Sequence, residues 1–125
     1  MFKISRREFQ KIVAQAVSDL PADILSAIDN LEIVIDDEAS EEELLENEVP
    51  DNEDLLGLFE GIPLTDRAFG DELTIPNLIT IFQLPHEAAC DTREDLTAQI
   101  IRTVRHEVAH HFGIDDGRLD AIGAY

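Results

Sequence analysis

An α+β fold is the class this sequence predicts, with the whole chain, 1–125, forming one domain. Two amphipathic helical stretches stand toward its ends, at 6–20 and 92–112. Between them lie three short apolar runs of strand character, at 31–35, 55–60 and 78–82. Strands grouped ahead of a long helix, instead of alternating with such helices, are the pattern of segregated layers. At 125 residues one core suffices, because a chain of this size buries roughly two-thirds of its unfolded surface.

The elements follow in order. Ser5-Arg6-Arg7-Glu8 has the form of a capping box. Phe9, Ile12, Val13, Ala16, Val17 and Leu20 follow it at helical spacing. Pro21 suits the first turn of a second short helix, about 21–29. Leu31 to Ile35 is a β-branched run and reads as a strand. Residues 36–54 hold eleven acidic residues and no basic one. Self-repulsion predicts a solvated acidic loop there, with a helical turn at Glu41–Glu46. An inert surface insertion is favoured for it over a partner-binding role. Leu55 to Glu60 reads as a second strand ended by Gly61 and Pro63, and 64–74 as a loop containing Gly70. Leu78 to Phe82 reads as a third strand ended by Pro85. The last helix starts at a cap formed by Asp91, with Glu94 at the third helical position. It runs over 92–112, and Gly113 ends it.

Charge and composition narrow the function. The chain carries 28 acidic and 9 basic residues, a formal net charge of −19. Affinity for nucleic acid comes largely from neutralising phosphates, so a nucleic-acid partner is not expected. Anionic membrane surfaces are disfavoured for the same reason. The acidity itself reads as a solubility device. Cys90 is the only cysteine, so no intrachain disulfide and no cysteine-based zinc cluster can form. The start, from Met1 to Glu8, lacks the apolar stretch of a signal peptide. The longest uncharged run, Leu73 to His86, is interrupted by Pro76 and Pro85 and is too short to span a bilayer. A cytoplasmic protein with no membrane partner is the expectation.

The chemistry concentrates on the last helix. With Val104 set at zero on a helical wheel, Leu96, Ile100, Ile101, Val108 and Phe112 fall within about 80° of it. His106 and His110 fall at about 200° and 240°, on another face. They are four apart, so one imidazole lies a turn above the other and both can bind one metal ion. Glu107 projects beside them, placed to act on a water that the metal activates. This is the H-E-x-x-H pattern, two zinc ligands plus a general base. Catalytic zinc usually takes a third protein ligand and keeps one position open. Residues 106–116 read H-E-V-A-H-H-F-G-I-D-D. That spacing approaches the metzincin pattern, with Asp in place of its third His. The glycine lets the chain leave the helix sharply, so Asp116 is the expected third ligand, with Asp115 and Asp120 as alternatives. One Zn2+ suits these donors, although nitrogen and carboxylate ligands also accept other divalent ions.

The neighbouring polar residues divide. His111 lies at about 340° on the wheel, within the apolar face, and reads as a packed histidine. His86 follows Pro85 and reads as a surface histidine in a loop. The Tyr125 hydroxyl is a candidate for steadying an oxyanion, with packing the favoured role. Arg118 is a candidate for orienting Asp115 or Asp116.

At these residues the sequence resembles the minimal bacterial zincin-like metallopeptidase family, small proteins with an HExxHxxGxxD motif near the C-terminus. The resemblance extends to the stretch from Leu55 to Thr65, to Leu78 through Phe82, and to Arg7-Glu8-Phe9. It implies a compact zincin-like domain, with a small three- to four-stranded sheet packed on an N-terminal helix and a C-terminal active-site helix. It implies His106, His110 and Asp116 as metal ligands and Glu107 as base. A zinc metallopeptidase acting on a peptide or protein substrate follows. The only methionine is Met1, so the methionine-containing turn of metzincins is absent. The chain is also too short for the subdomains that clasp a peptide in larger zincins. Two rival functions are a metal-binding or regulatory protein without proteolysis, and a metal-dependent endoribonuclease of the H-x-x-x-H-x-x-x-x-x-H type. In the second, Asp116 would stand at the third place, Glu107 where that family has a small residue, and the net charge opposes an RNA substrate.

Overall fold

A computed structural model describes residues 1–49, 54–62 and 76–113. Helix α1 spans Arg6–Ser18 and is capped by Ser5, whose hydroxyl accepts from the Glu8 amide at 3.1 Å. Helix α2, Ala22–Ala27, follows Pro21. Strand β1, Leu31–Asp36, alternates half-buried Leu31, Ile33 and Ile35 with exposed Glu32, Val34 and Asp36. Helix α3, Glu41–Glu46, sits in the acidic stretch. It forms because Ser40 and Glu43 exchange two hydrogen bonds, of 3.0 and 2.9 Å, across a complete capping box. Strand β2 is Gly57–Glu60 and strand β3 is Asn77–Phe82. Helix α4, Gln83–Ala89, and helix α5, Arg93–His111, complete the order.

Among the described residues the sheet has three strands in the order β1-β3-β2. β1 runs parallel to β3, pairing Leu31 with Asn77 through Asp36 with Phe82. β2 runs antiparallel to β3, pairing Gly57 with Ile81. The core lies between the sheet, α1 and α5. Phe9, Val13 and Ala16 of α1 meet Ile79 and Ile81 of β3 and Leu96, Ile100, Val104 and Val108 of α5. Each of the large aliphatic side chains here contributes about 1.5–3 kcal/mol by leaving water. The apolar stripe of α5 that the wheel defines is therefore the stripe that packs, and it fixes which way the opposite face points.

Four expectations need correction or limit. Pro85 does not end β3 in a loop. It lies in the first turn of α4, where a helix has no use for the amide hydrogen that proline lacks. The strand passes directly into that helix, and the turn buries Gln83, His86 and Glu87. The start of α5 is capped by Thr92, not Asp91; the Thr92 hydroxyl accepts from the Asp95 amide at 3.1 Å. β2 begins at Gly57, two residues later than Leu55. Pro63 and the expected loop 64–74 lie outside the described residues. No described helix is long and apolar enough to cross a membrane.

A polar seam ties the N-terminal segment to α4. Glu87 Oε2 accepts from the Ile4 amide at 2.8 Å, and Gln83 Nε2 donates to the Ile4 carbonyl at 3.0 Å. Arg6 Nε donates to Gln83 Oε1 at 2.6 Å and its guanidinium pairs with Asp37. Buried Gln83 thereby has partners for both ends of its amide, and buried Glu87 for one carboxylate oxygen, as burial of polar groups requires.

Candidate metal centre

Helix α5 carries the centre in its last two turns. Glu94 and Asp95 in its first turn complement the helix dipole. The helix stops at Phe112, whose amide still reaches Val108 and Ala109, and Gly113 turns away with φ of 85°. That left-handed conformation suits glycine alone among common residues at little cost. The turn expected at Gly113 is therefore present.

The structure brings His106, Glu107 and His110 together. One ligand atom of each lies within 4.8 Å of the others. The two imidazoles meet edge to face, with ring centroids 4.9 Å apart and planes at 78°. Both histidines are half-buried, whereas Glu107 is 7% exposed. Two nitrogen donors and a carboxylate at this spacing form a donor set that suits zinc. Asp116, Asp115 and Asp120, along with Arg118 and Tyr125, lie outside the described residues.

The segment leading into β2 forms the opposite wall. A cleft of about 230 Å³ is lined by Asp54, Leu55, Leu56 and Gly57 on one side and by Gln99, Arg102, Thr103, His106 and Glu107 on the other. Gly57 permits the approach. A Cβ there would fall 2.8 Å from Thr103 Cγ2 and 3.0 Å from Glu107 Cγ, closer than ordinary contact allows. Phe59, two residues on, places its ring 6.3 Å from that of His110.

The other two histidines serve the core. His111 is fully buried. Asn77 Nδ2 lies 2.8 Å from its Nδ1, and the same amide group exchanges two 2.9 Å hydrogen bonds with the backbone of Ile62. Because the Asn77 nitrogen can only donate, His111 Nδ1 accepts. His111 is thus a packed histidine joining the end of α5 to the sheet. His86 departs from expectation: it is fully buried in α4. Its Nδ1 donates to the Phe82 carbonyl at 2.7 Å, and its Nε2 lies 2.9 Å from the Thr103 hydroxyl. Burial pushes its pKa below the ordinary 6.5, and the Phe82 hydrogen bond opposes this more weakly.

Sequence reasoning passed over Gly57, Asn77, Gln99, Arg102 and Thr103. The signal for three of them was present. Thr103, Arg102 and Gln99 stand three, four and seven residues before His106, the spacings that share a helix face. Gly57 and Asn77 carried no such signal, because their importance depends on how β2 and β3 meet α5.

A family model described as zincin-like metallopeptidase matches residues 28–124. A search of curated proteins finds no match. A solved structure, described as a conserved hypothetical protein from Thermo thermophilus, is similar to this chain with a TM-score of 0.58. It is 20% identical, over 95% of this chain and 97% of that one. At that identity the likeness shows a shared fold.

Proposed function

The chain belongs to the zincin-like metallopeptidase family, and on that premise we propose that it is a zinc-dependent peptidase with Glu107 as general base. The observation that carries this reading is the meeting of His106, Glu107 and His110 within 4.8 Å of one another, with His106 and Glu107 lining the cleft. His106 and His110 would hold the ion, with Asp116 as third ligand and Asp115 or Asp120 as alternatives. Zinc, when bound, supplies a Lewis acid that acidifies a water and polarises the scissile carbonyl.

Glu107 does the proton work. Its carboxylate accepts a proton from the attacking water and delivers it to the departing amine. Its low exposure strengthens that charge's local effect and holds the side chain in one geometry. Gly57 leaves room for the Glu107 side chain beside β2. The substrate is a peptide or protein segment lying in the cleft between β2 and α5.

The test is Glu107→Gln. It is expected to retain zinc and to lose about a hundred- to ten-thousandfold in hydrolysis of a peptide library, with zinc measured by elemental analysis. Unchanged hydrolysis removes Glu107 from the role. Zinc content below about a tenth of an equivalent after zinc is supplied removes the metal site. A second reading is a metal-binding protein without proteolysis. The cleft, at about 230 Å³, favours it by being smaller than usual ligand pockets of roughly 300–1,000 Å³. Bound zinc with no cleavage by the wild type would select that reading.

A further inference from the structure

Arg102 differs from the other arginines that the structure places in contacts. In a chain with 28 acidic residues against 9 basic ones, Arg6 and Arg93 are each held by a carboxylate, Asp37 and Glu8. Arg102 lines the cleft with His106 and Glu107, yet its partner is neutral. Its Nη1 donates to Gln99 Oε1 at 3.3 Å. Among the described residues no carboxylate forms an ion pair with it. A guanidinium has five N–H donors in a planar fork that fits a carboxylate. Most of those donors face no acceptor among the described residues.

Gln99 gives that fork a partner on the same helix. Its Oε1 takes the Arg102 hydrogen bond while its Nε2 donates to the Thr103 hydroxyl at 3.3 Å. Arg102 is exposed and lines the cleft one helical turn before His106. Four residues of helix amount to about 6 Å along the axis. An extended peptide advances roughly 3.3 Å per residue. The fork therefore stands about two residues from the bond that His106 and Glu107 address. Asp54 lines the facing wall, so a second negative group across the cleft meets repulsion.

We propose that Arg102, partnered by Gln99, is a specificity-determining residue that binds a substrate carboxylate about two residues from the scissile bond. The preferred substrate carries one negative group at that place, supplied by an acidic side chain or by a free C-terminus. The net charge of −19 disfavours polyacidic peptides generally, so the selection is for a single placed carboxylate. This inference rests on the peptidase reading for the occupant of the cleft.

The experiment uses zinc-loaded Glu107→Gln protein, so that binding is read without turnover. Fluorescein-labelled peptides differ only in glutamate or glutamine at one position and in a free or amidated C-terminus, with binding followed by anisotropy. One carboxylate-bearing form is expected to bind about tenfold more tightly than its neutral counterpart, as loss of a charge-assisted hydrogen bond predicts. Which arm shows the preference identifies the side chain or the terminus as the source. Adding Arg102→Gln should abolish the preference and leave the neutral peptides unchanged. Adding Arg102→Glu should reverse it, so that the neutral form binds more tightly than the carboxylate-bearing one. Peptides that bind without preference, or a preference that survives Arg102→Gln, overturn the role of Arg102 and leave the peptidase reading standing. Failure of every peptide to bind removes both.

Discussion

The four histidines divide between two regions that meet on α5, three carried by that helix and His86 by α4. His106 and His110 stand half-buried with Glu107 at the candidate centre. His111 and His86 are fully buried in the core, one against Asn77 and the other between Phe82 and Thr103. His110 and His111 are neighbours in the chain, yet about 100° of helical rotation sends them to different regions. Residue type alone does not make a ligand. The face on which the apolar stripe packs decides which imidazoles are offered to a metal and which are consumed by structure.

The largest effect expected from breaking this division is on metal binding. His110→Ala should weaken zinc binding by more than about a hundredfold, beyond what loss of a supporting partner costs, and metal-free unfolding should shift by less than about 1 kcal/mol. His111→Ala should do the reverse. It leaves a cavity and takes the partner from one Asn77 N–H, which together cost about 2–4 kcal/mol by urea denaturation, with zinc affinity held within tenfold. Equal zinc loss in the two variants would erase the distinction between the regions.

A smaller effect tests the wall that the regions share. Gly57→Ala forces a methyl against Thr103 and Glu107 and should destabilise by about 1–3 kcal/mol. Peptide turnover, assayed well below the unfolding midpoint, should fall further than the folded fraction does, because the displaced group is Glu107. Equal falls would make Gly57 a packing position only.

The smallest effect sharpens the core side. The His86 pKa is lowered in the folded protein from 6.5. As pH falls below about 6.5, the unfolded histidine takes up a proton that the folded one refuses, so stability is lost in that direction and is fully present above it. The slope from this group is at most about 1.4 kcal/mol per pH unit. His86→Gln should remove that share of the pH dependence between pH 6.5 and the lowered folded value. An unaltered slope in paired denaturation series would count against it.

The sequence showed α1, β1, the α3 turn, β3 and α5 because each writes its period or cap into adjacent residues. The meeting of His106, Glu107 and His110 was legible for the same reason: all three sit within one helix. What escaped depends on contacts between elements. Proline at 85 looks like a strand terminator, and nothing nearby announces that β3 continues into a helix that buries His86. Thr92 won the cap over Asp91 because the helix starts one residue later than the acid implies. The parallel pairing of β1 with β3 and the approach of Gly57 to Glu107 come from sheet order, which local pattern does not encode.

That sheet order also governs how the chain comes together. Both hydrogen-bonded ladders run through β3, which follows β1 and β2 in the chain. A polypeptide emerging N-terminus first therefore makes β1 long before it makes the strand that pairs with it. The apolar face of α1 likewise waits for α5. Closing so long a loop adds only a little to the free energy, since each doubling of length costs about 0.6 kcal/mol, but it slows the search for native pairing. During that wait the segment from Ile33 to Ile35 is a bare strand edge with β-branched side chains, the kind of surface that joins another nascent chain. The concentration of carboxylates just after it, from Asp36 to Glu48, stands where mutual repulsion between chains would act during assembly, before any cleft exists to hold a substrate.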